Sequence, residues 1–161
     1  MGRDIGKLAQ NTEGGIIHSE DYTLWLHEDA GTERERDSDL KDYKFYCFDG
    51  KMKFMMINSD RNSEKPTKAD YFDRNFQWLD FSWGYTHAAI RPDKPPRFEE
   101  MIEIAEKLSE GIPHVRVDLY ECNGQIYFGE LTFFDGSGFD RIDPVEWDYR
   151  IGTMLQLPAL K

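Results

Sequence analysis

The chain has 161 residues, with 20 Lys and Arg against 31 Asp and Glu, and its formal net charge at pH 7 is −11. This length suits one domain or a piece of a larger protein, and an aromatic content of 14% is typical of a folded chain. The acidic balance argues against general binding to nucleic acid or anionic membranes, which needs a positive surface. No apolar run is long enough for a membrane span, the N-terminus lacks the apolar run of a signal peptide and there are only two cysteines, so a cytoplasmic location is expected.

Residues 1–41 carry the weakest structural pattern. They contain Gly14-Gly15, a charge run at residues 33–37 and one short apolar patch, Leu24-Trp25-Leu26. This composition predicts a flexible or poorly packed N-terminal segment, with a folded lobe over residues 42–161.

The first clear pattern is a β-hairpin. Residues 43–48 are strand-like by their aromatic content, Asp49-Gly50 is a turn pair, and residues 52–57 form the return strand. The polar residues 58–70 then predict a loop.

An aromatic segment over residues 71–85 predicts one further strand. Phe81, Trp83 and Tyr85 alternate there with polar or small residues. Stacking on carbohydrate is one interpretation of these rings, but packing into the core is favoured.

Two helices are predicted. The first opens at Pro95-Pro96 and has its apolar residues at spacings of three and four. Its apolar face consists of Phe98, Met101, Ile102, Ala105 and Leu108. The second begins with Asp143 as the N-cap and Pro144 in the first position, and extends to about Leu155.

A second hairpin lies between these helices. Residues 115–122 and 125–134 form its strands around Asn123-Gly124. The order of hairpin, strand, helix, hairpin and helix predicts an α+β fold with a mainly antiparallel β-sheet and flanking helices.

This second hairpin carries charged residues in apolar surroundings. Arg116 and Asp118 share one face of their strand, because side chains alternate. A two-residue Asn123-Gly124 turn would pair Asp118 with Gly129 and put Glu130 on the opposite face. A three-residue loop would pair Arg116 with Glu130 and bring Thr132 to the same cluster. The second register is favoured, because the first would drive Glu130 into the apolar face.

Two carboxylates and an arginine on a rigid sheet are typical of a magnesium–phosphate site. Magnesium takes one or two carboxylates and keeps other positions for water and phosphate, and an arginine can hold a phosphoryl group. The pattern alone is equally compatible with an exposed Arg116–Glu130 ion pair that contributes little.

Three further features receive structural interpretations. Asp135-Gly136-Ser137-Gly138 is interpreted as an ordinary turn, with an anion-binding nest as the alternative. His114 is interpreted as a structural histidine, and Cys47 and Cys122 as packing residues.

Several motifs occur in an order that resembles one protein family. The chain is similar to the metal-binding end of the ATP-grasp superfamily, and more closely to its teichuronopeptide-biosynthesis type. The motifs lie at residues 42–51 (DYKFYCFDGK), 101–108 (MIEIAEKL), 115–120 (VRVDLY), 127–133 (YFGELTF) and 144–148 (PVEWD). The resemblance implies the C-terminal lobe of such a domain, with ATP and Mg²⁺ as cofactors.

The resemblance also implies roles for individual residues. Asp118 and Glu130 would be magnesium ligands, with a weaker or water-mediated contribution from Thr132, which stands where related ligases have Asn. Arg116 would contact the transferred phosphate, and Lys44 would lie on the nucleotide side. Arg61 is a candidate for the phosphate or the acceptor, with a solvated loop residue as the alternative.

By resemblance, the function is that of a carboxylate–amine ligase of bacterial cell-surface polysaccharide biosynthesis, acting through an acyl phosphate on a small-molecule or saccharide acceptor. Family members are usually longer, so a second chain or a missing lobe would complete the site. The alternatives are a non-catalytic nucleotide-binding or partner module and a glycosyltransferase.

Overall fold

A computed structural model describes residues 42–59, 66–122 and 124–157. The strands are β1 (Asp42–Phe48), β2 (Lys51–Ser59), β3 (Lys68–Asp73), β4 (Trp78–Leu79), β5 (Ser82–Trp83), β6 (His114–Cys122), β7 (Gln125–Thr132) and β8 (Ile142–Asp143). The helices are α1 (Phe98–Leu108) and α2 (Val145–Gly152), and a 3-10 turn spans Asp135–Gly138. The predicted N-terminal segment 1–41 and Arg61 lie outside the described residues.

The main sheet has six strands in the order β4-β3-β2-β1-β6-β7, and every neighbouring pair is antiparallel. β5 and β8 form a separate two-stranded sheet. This arrangement confirms the predicted α+β class and both predicted hairpins. It also places β1 and β6, which are far apart in sequence, side by side in the centre of the sheet.

Helix α1 covers one face of the main sheet with the predicted apolar residues. Its buried side chains are Phe98, Met101, Ile102 and Ala105. They pack against alternate residues of β1 and β6, including Phe45, Val115 and Val117. Because side chains alternate along a strand, the residues between these point to the opposite face.

That opposite face is divided into an apolar half and a charged half. Over β1–β3, Tyr46, Phe54 and Tyr71 pack against Phe81, Ile142 and Ile151 from the second layer. Over β1, β6 and β7 the same face carries charged side chains. The aromatic residues of the 71–85 segment are thus mainly core residues, as favoured from the sequence.

The structure corrects the prediction for residues 58–85. Residues at both ends of the predicted loop 58–70 belong to strands, since β2 continues to Ser59 and β3 begins at Lys68. Sequence reasoning missed β3 because Asp70 interrupts its apolar pattern, although Asp70 is fully buried and accepts hydrogen bonds from Trp78 and Ala88. The predicted strand around Phe81 shortens to Ser82–Trp83, because Gly84 turns the chain at φ +71°.

The predicted register of the second hairpin is wrong, although its consequence for the charged face is right. Cys122 pairs with Gln125, so only two residues join the strands. The register then shifts between Val117 and Leu119, so that Arg116 pairs with Thr132. This β-bulge places one extra residue on β7 and returns Glu130 to the face of Arg116.

Gly129 is the residue that allows the bulge. A Cβ atom at this position would lie 2.7 Å from Cε2 of Tyr120 and 2.9 Å from the backbone oxygen of Asp118. Side chains do not occupy such distances, so only glycine fits without a shift of backbone or ring.

The start and end of the last helix also differ from the prediction. The N-cap is Pro144, without a side-chain cap hydrogen bond, and the helix ends at Gly152 rather than near Leu155. Asp143 lies one residue before the cap, in β8, where it pairs with Ser82. No helix within the described ranges is long and apolar enough to cross a membrane.

Candidate functional site

Three neighbouring strands bring charged side chains to one face of the sheet. Lys44 of β1 lies opposite Asp118 of β6, and Tyr46 lies opposite Arg116. Arg116 in turn lies opposite Thr132 of β7. These residues therefore form two adjacent rows: one crosses β1, β6 and β7 through Tyr46, Arg116 and Thr132, and the other joins Lys44 of β1 to Asp118 of β6.

Arg116 and Asp118 form the buried centre of this cluster. The Arg116 guanidinium donates from Nε to Oδ1 of Asp118 over 2.7 Å and from Nη2 to Oδ2 over 2.8 Å. Arg116 is 7% exposed and Asp118 only 1%. Burial by itself lowers the pKa of Arg116, but the hydrogen bonds and charge of Asp118, with Asp135, outweigh it and raise that pKa. The guanidinium is consequently a permanent cation here, so an exposed ion pair does not describe this arrangement.

Lys44 holds the second positive charge. Its Nζ donates to Oδ2 of Asp118 and also forms an ion pair with Asp42. Lys44 and Asp42 are both buried. Asp118 thus pairs with both Lys44 and Arg116. This pairing offsets the desolvation cost of the charges on this covered face of the sheet.

Glu130 and Thr132 lie on the outer side of the cluster. Oε1 of Glu130 accepts from Nη2 of Arg116 over 2.9 Å and from the hydroxyl of Thr132 over 3.1 Å. The Glu130 side chain is 31% exposed, so it is far more accessible than Asp118. The bulge at Gly129 makes these contacts possible.

Asp135 and Tyr46 complete the cluster, and sequence reasoning assigned neither to it. Asp135 follows β7 in the 3-10 turn; its Oδ1 accepts from Nη1 of Arg116 and its Oδ2 from the Tyr46 hydroxyl. Burial and then the charge of Asp135 raise the pKa of Tyr46 well above its usual value, which keeps its hydroxyl a hydrogen-bond donor. The available signal in the sequence was the position of Asp135, an acidic residue that begins a glycine-containing run shortly after Thr132.

The structure therefore brings together Arg116, Asp118, Glu130 and Thr132 on one face, as the favoured arrangement of the hairpin predicted. It adds Lys44, which only the resemblance had singled out, while Arg61 lies outside the described residues. His114 lies beside the cluster on the same face of β6, where its ring stacks on Tyr46 and the charge of Asp135 acts on it. Its Nδ1 lies 3.1 Å from the carbonyl oxygen of Cys47, and its ring stacks on Phe48.

The donor set of this cluster fits a hard cation. The two cations, Lys44 and Arg116, form ion pairs with four carboxylates, and this leaves a formal excess of two negative charges. The carboxylates are those of Asp42, Asp118, Glu130 and Asp135. No three acidic, histidine or cysteine side chains within residues 42–59, 66–122 and 124–157 are arranged to hold a metal, but magnesium commonly takes only one or two protein carboxylates. Glu130 fits such a role better than Asp118, because both oxygens of Asp118 already accept from the chain's own cations.

Comparison with known protein families identifies the chain's relatives. The model of the TupA-like ATP-grasp family matches residues 23–156, most of the chain. The chain belongs to this family. No curated protein and no solved structure matches it.

Membership of the TupA-like ATP-grasp family supports a ligase-type function in general and the use of ATP and Mg²⁺, the cofactors of ATP-grasp proteins. All five predicted residues that the structure describes lie within the matched range. The match also begins at residue 23, earlier than the motifs from residue 42 onward that carried the resemblance.

Proposed function

We propose that this chain carries the magnesium- and phosphate-binding half of an ATP-dependent carboxylate–amine ligase that decorates a cell-surface polysaccharide in the bacterial cytoplasm. The observation that carries the proposal is the buried Arg116–Asp118 pair, with Lys44 and Glu130 attached to it on one sheet face. In such a reaction a carboxylate is phosphorylated to an acyl phosphate, and an amine then displaces the phosphate.

Arg116 has the properties that a phosphoryl-binding residue needs. Its guanidinium is held in one orientation by two hydrogen bonds to Asp118. A fixed planar donor that is permanently charged stabilises the charge that develops on a transferred phosphoryl group without having to reorganise. Asp118 therefore acts in this proposal as the residue that orients Arg116, in addition to any contact with metal.

The proposed magnesium position involves Glu130 first, with Asp118 and Thr132 as the other candidate ligands. When bound, magnesium offsets the charge of the nucleotide phosphates and orients them. Glu130 is suited to this because its Oε2 lies outside the hydrogen bonds that Oε1 accepts from Arg116 and Thr132. Lys44 would balance the charge of Asp118 on the nucleotide side of the cluster.

A second candidate is a module that binds nucleotide or a partner chain without turnover. One observation favours it: the carboxylates of Asp118 and Asp135 already accept hydrogen bonds through both oxygens within the chain. A further chain or lobe would then supply the remaining contacts to ATP and to the acceptor. Hydrolysis of ATP by this chain alone would exclude this candidate.

The test is calorimetric titration of the full chain with ATP, in the presence of magnesium and in EDTA. We expect binding that depends on magnesium and that is lost in Glu130→Gln and Asp118→Asn. Glu103→Gln is the matched control, because Glu103 is exposed on α1, on the opposite face of the sheet.

The two site variants separate binding from folding. Asp118 is buried and its replacement weakens the fold, whereas Glu130 is partly exposed, so Glu130→Gln reports on the site with a smaller effect on stability. Equal affinity of the unaltered chain and Glu130→Gln for magnesium-ATP would refute the proposed magnesium position. Absence of any binding by the folded chain would refute the nucleotide site.

A further inference from the structure

The Arg116 guanidinium has two edges that can each hold an oxyanion, and they are occupied differently. The inner edge, Nε and Nη2, binds both oxygens of Asp118, a neighbour on the same strand. The outer edge, Nη1 and Nη2, is shared by two separate residues: Nη1 donates to Asp135 and Nη2 to Glu130. A phosphate or carboxylate oxygen can take the place of either acceptor on such an edge.

The two residues on the outer edge differ in how firmly they are held. Glu130 lies on β7 and is also bound by Thr132. Asp135 lies beyond the strand, in a turn of four residues where Gly136 and Gly138 both have positive φ. The Tyr46 hydroxyl donates a further hydrogen bond to Asp135, and the Asp135 side chain is 22% exposed. Asp135 is therefore the carboxylate on Arg116 that can leave with the least disturbance of the sheet.

We propose that Nη1 of Arg116 is an oxyanion-binding position that Asp135 occupies in the absence of ligand, and that an oxygen of a phosphoryl group displaces Asp135 from Nη1 when it binds, while Nη2 keeps its bond to Glu130. Asp135 is then an autoinhibitory stand-in for phosphate rather than a fixed ligand. This inference rests on the proposed function for the identity of the phosphoryl group, but the exchange at Arg116 stands on its own geometry.

The exchange keeps the buried cation paired in both states. A guanidinium that lost its outer acceptor would lose hydrogen bonds in a covered position, which is unfavourable. Asp135 supplies an acceptor until ligand arrives, and the Tyr46 hydroxyl directs it toward Nη1. Competition from Asp135 must therefore weaken the binding of any oxyanion to the unaltered chain.

Two variants test this competition from different sides. Asp135→Asn removes the competing charge but keeps the size of the side chain. Tyr46→Phe keeps the charge of Asp135 and removes the hydroxyl that holds its Oδ2. Asp148→Asn is the charge-matched control, since Asp148 is an exposed residue of α2. Inorganic phosphate is the probe, titrated into the full chain by calorimetry, with thermal melting as a check of folding.

We expect Asp135→Asn to bind inorganic phosphate at least about fivefold more tightly than the unaltered chain does, because the competing acceptor on Nη1 has lost its charge. Tyr46→Phe should show a smaller gain in the same direction, and Asp148→Asn should show none. Affinity of Asp135→Asn equal to or below that of the unaltered chain, including binding detectable in neither, overturns the inference. Tighter phosphate binding by Asp135→Asn, with no magnesium-ATP binding by any variant, supports this inference and refutes the proposed function.

Discussion

Arg116 and Asp118 lie two residues apart on β6 and are joined by two hydrogen bonds, Nε to Oδ1 over 2.7 Å and Nη2 to Oδ2 over 2.8 Å. A strand places such residues on the same face, so a planar guanidinium can meet a carboxylate along the strand direction. The pair fixes the orientation of Arg116, which in turn donates hydrogen bonds to Glu130 and Asp135.

Asp118→Asn should strongly destabilise the fold. The substitution leaves the positive charges of Arg116 and Lys44 in a covered position with one anion fewer, and breaking a buried pair in this way costs about 3 kcal/mol or more. Urea denaturation gives the free energy of unfolding of Asp118→Asn relative to the unaltered chain, with Glu103→Gln as the control. A loss below about 1 kcal/mol, the usual range for exposed pairs, would show that the pair is solvated.

Gly129→Ala should disturb the bulge that brings Glu130 to Arg116. The new Cβ would lie 2.7 Å from Cε2 of Tyr120 and 2.9 Å from the backbone oxygen of Asp118. Steric misfit of this kind in a packed site costs about 1–3 kcal/mol. Denaturation should show this loss, and amide chemical shifts should change on both β6 and β7.

Gly152→Ala is the matched control for that substitution. A Cβ at Gly152 meets nothing within 4 Å, and the residue ends helix α2. Alanine there should leave the stability unchanged or raise it slightly, because it restricts the unfolded chain. Equal effects of the two substitutions would contradict the steric account of Gly129.

The sequence was sufficient to predict the features that depend on local pattern. Both hairpins follow from aromatic strands around Asp49-Gly50 and Asn123-Gly124, and α1 follows from apolar spacings of three and four. The family resemblance singled out the charged residues of β6 and β7. These features could be predicted because their determinants lie within a few positions of one another.

The features that the sequence did not reveal depend on distant residues. Asp70 is buried within β3 because Trp78 and the backbone of Ala88 supply its hydrogen bonds, and no local pattern announces them. The bulge depends on the close approach of Gly129 to Tyr120 on another strand. Asp135 joins the site only because the chain turns back over β6 after β7 ends.

Cys47 should be unreactive in the folded protein. It is fully buried, and burial raises the pKa of its thiol to about 11, despite the opposing hydrogen bond with Ser109. The thiolate is the reactive form, so alkylation by iodoacetamide at pH 8 should be negligible at this residue until the chain is denatured. Peptide mass mapping before and after addition of urea measures this, and fast labelling of the native chain at Cys47 would contradict it.

His114 should make the protein less stable as the pH falls below neutrality. Burial lowers the pKa of His114, against smaller opposing effects of the Cys47 carbonyl and Asp135. The unfolded histidine takes up a proton near pH 6.5, about its ordinary pKa, while the folded one still resists protonation. The unfolded chain then binds more protons than the folded one. The contribution of His114 to the free energy of unfolding therefore falls as the pH drops from about 6.5 to the pKa of the folded histidine, and it is constant below that pH.

His114→Phe isolates this contribution. Phenylalanine keeps an aromatic ring for stacking on Phe48, although it loses the contact with the Cys47 carbonyl oxygen. The variant should therefore begin from a lower stability at pH 7.5 and lose less on acidification to pH 5 than the unaltered chain does. Urea denaturation at several pH values provides both slopes. Parallel slopes would mean that His114 is protonated equally in the folded and unfolded states, and that its ring is solvated rather than packed against β1.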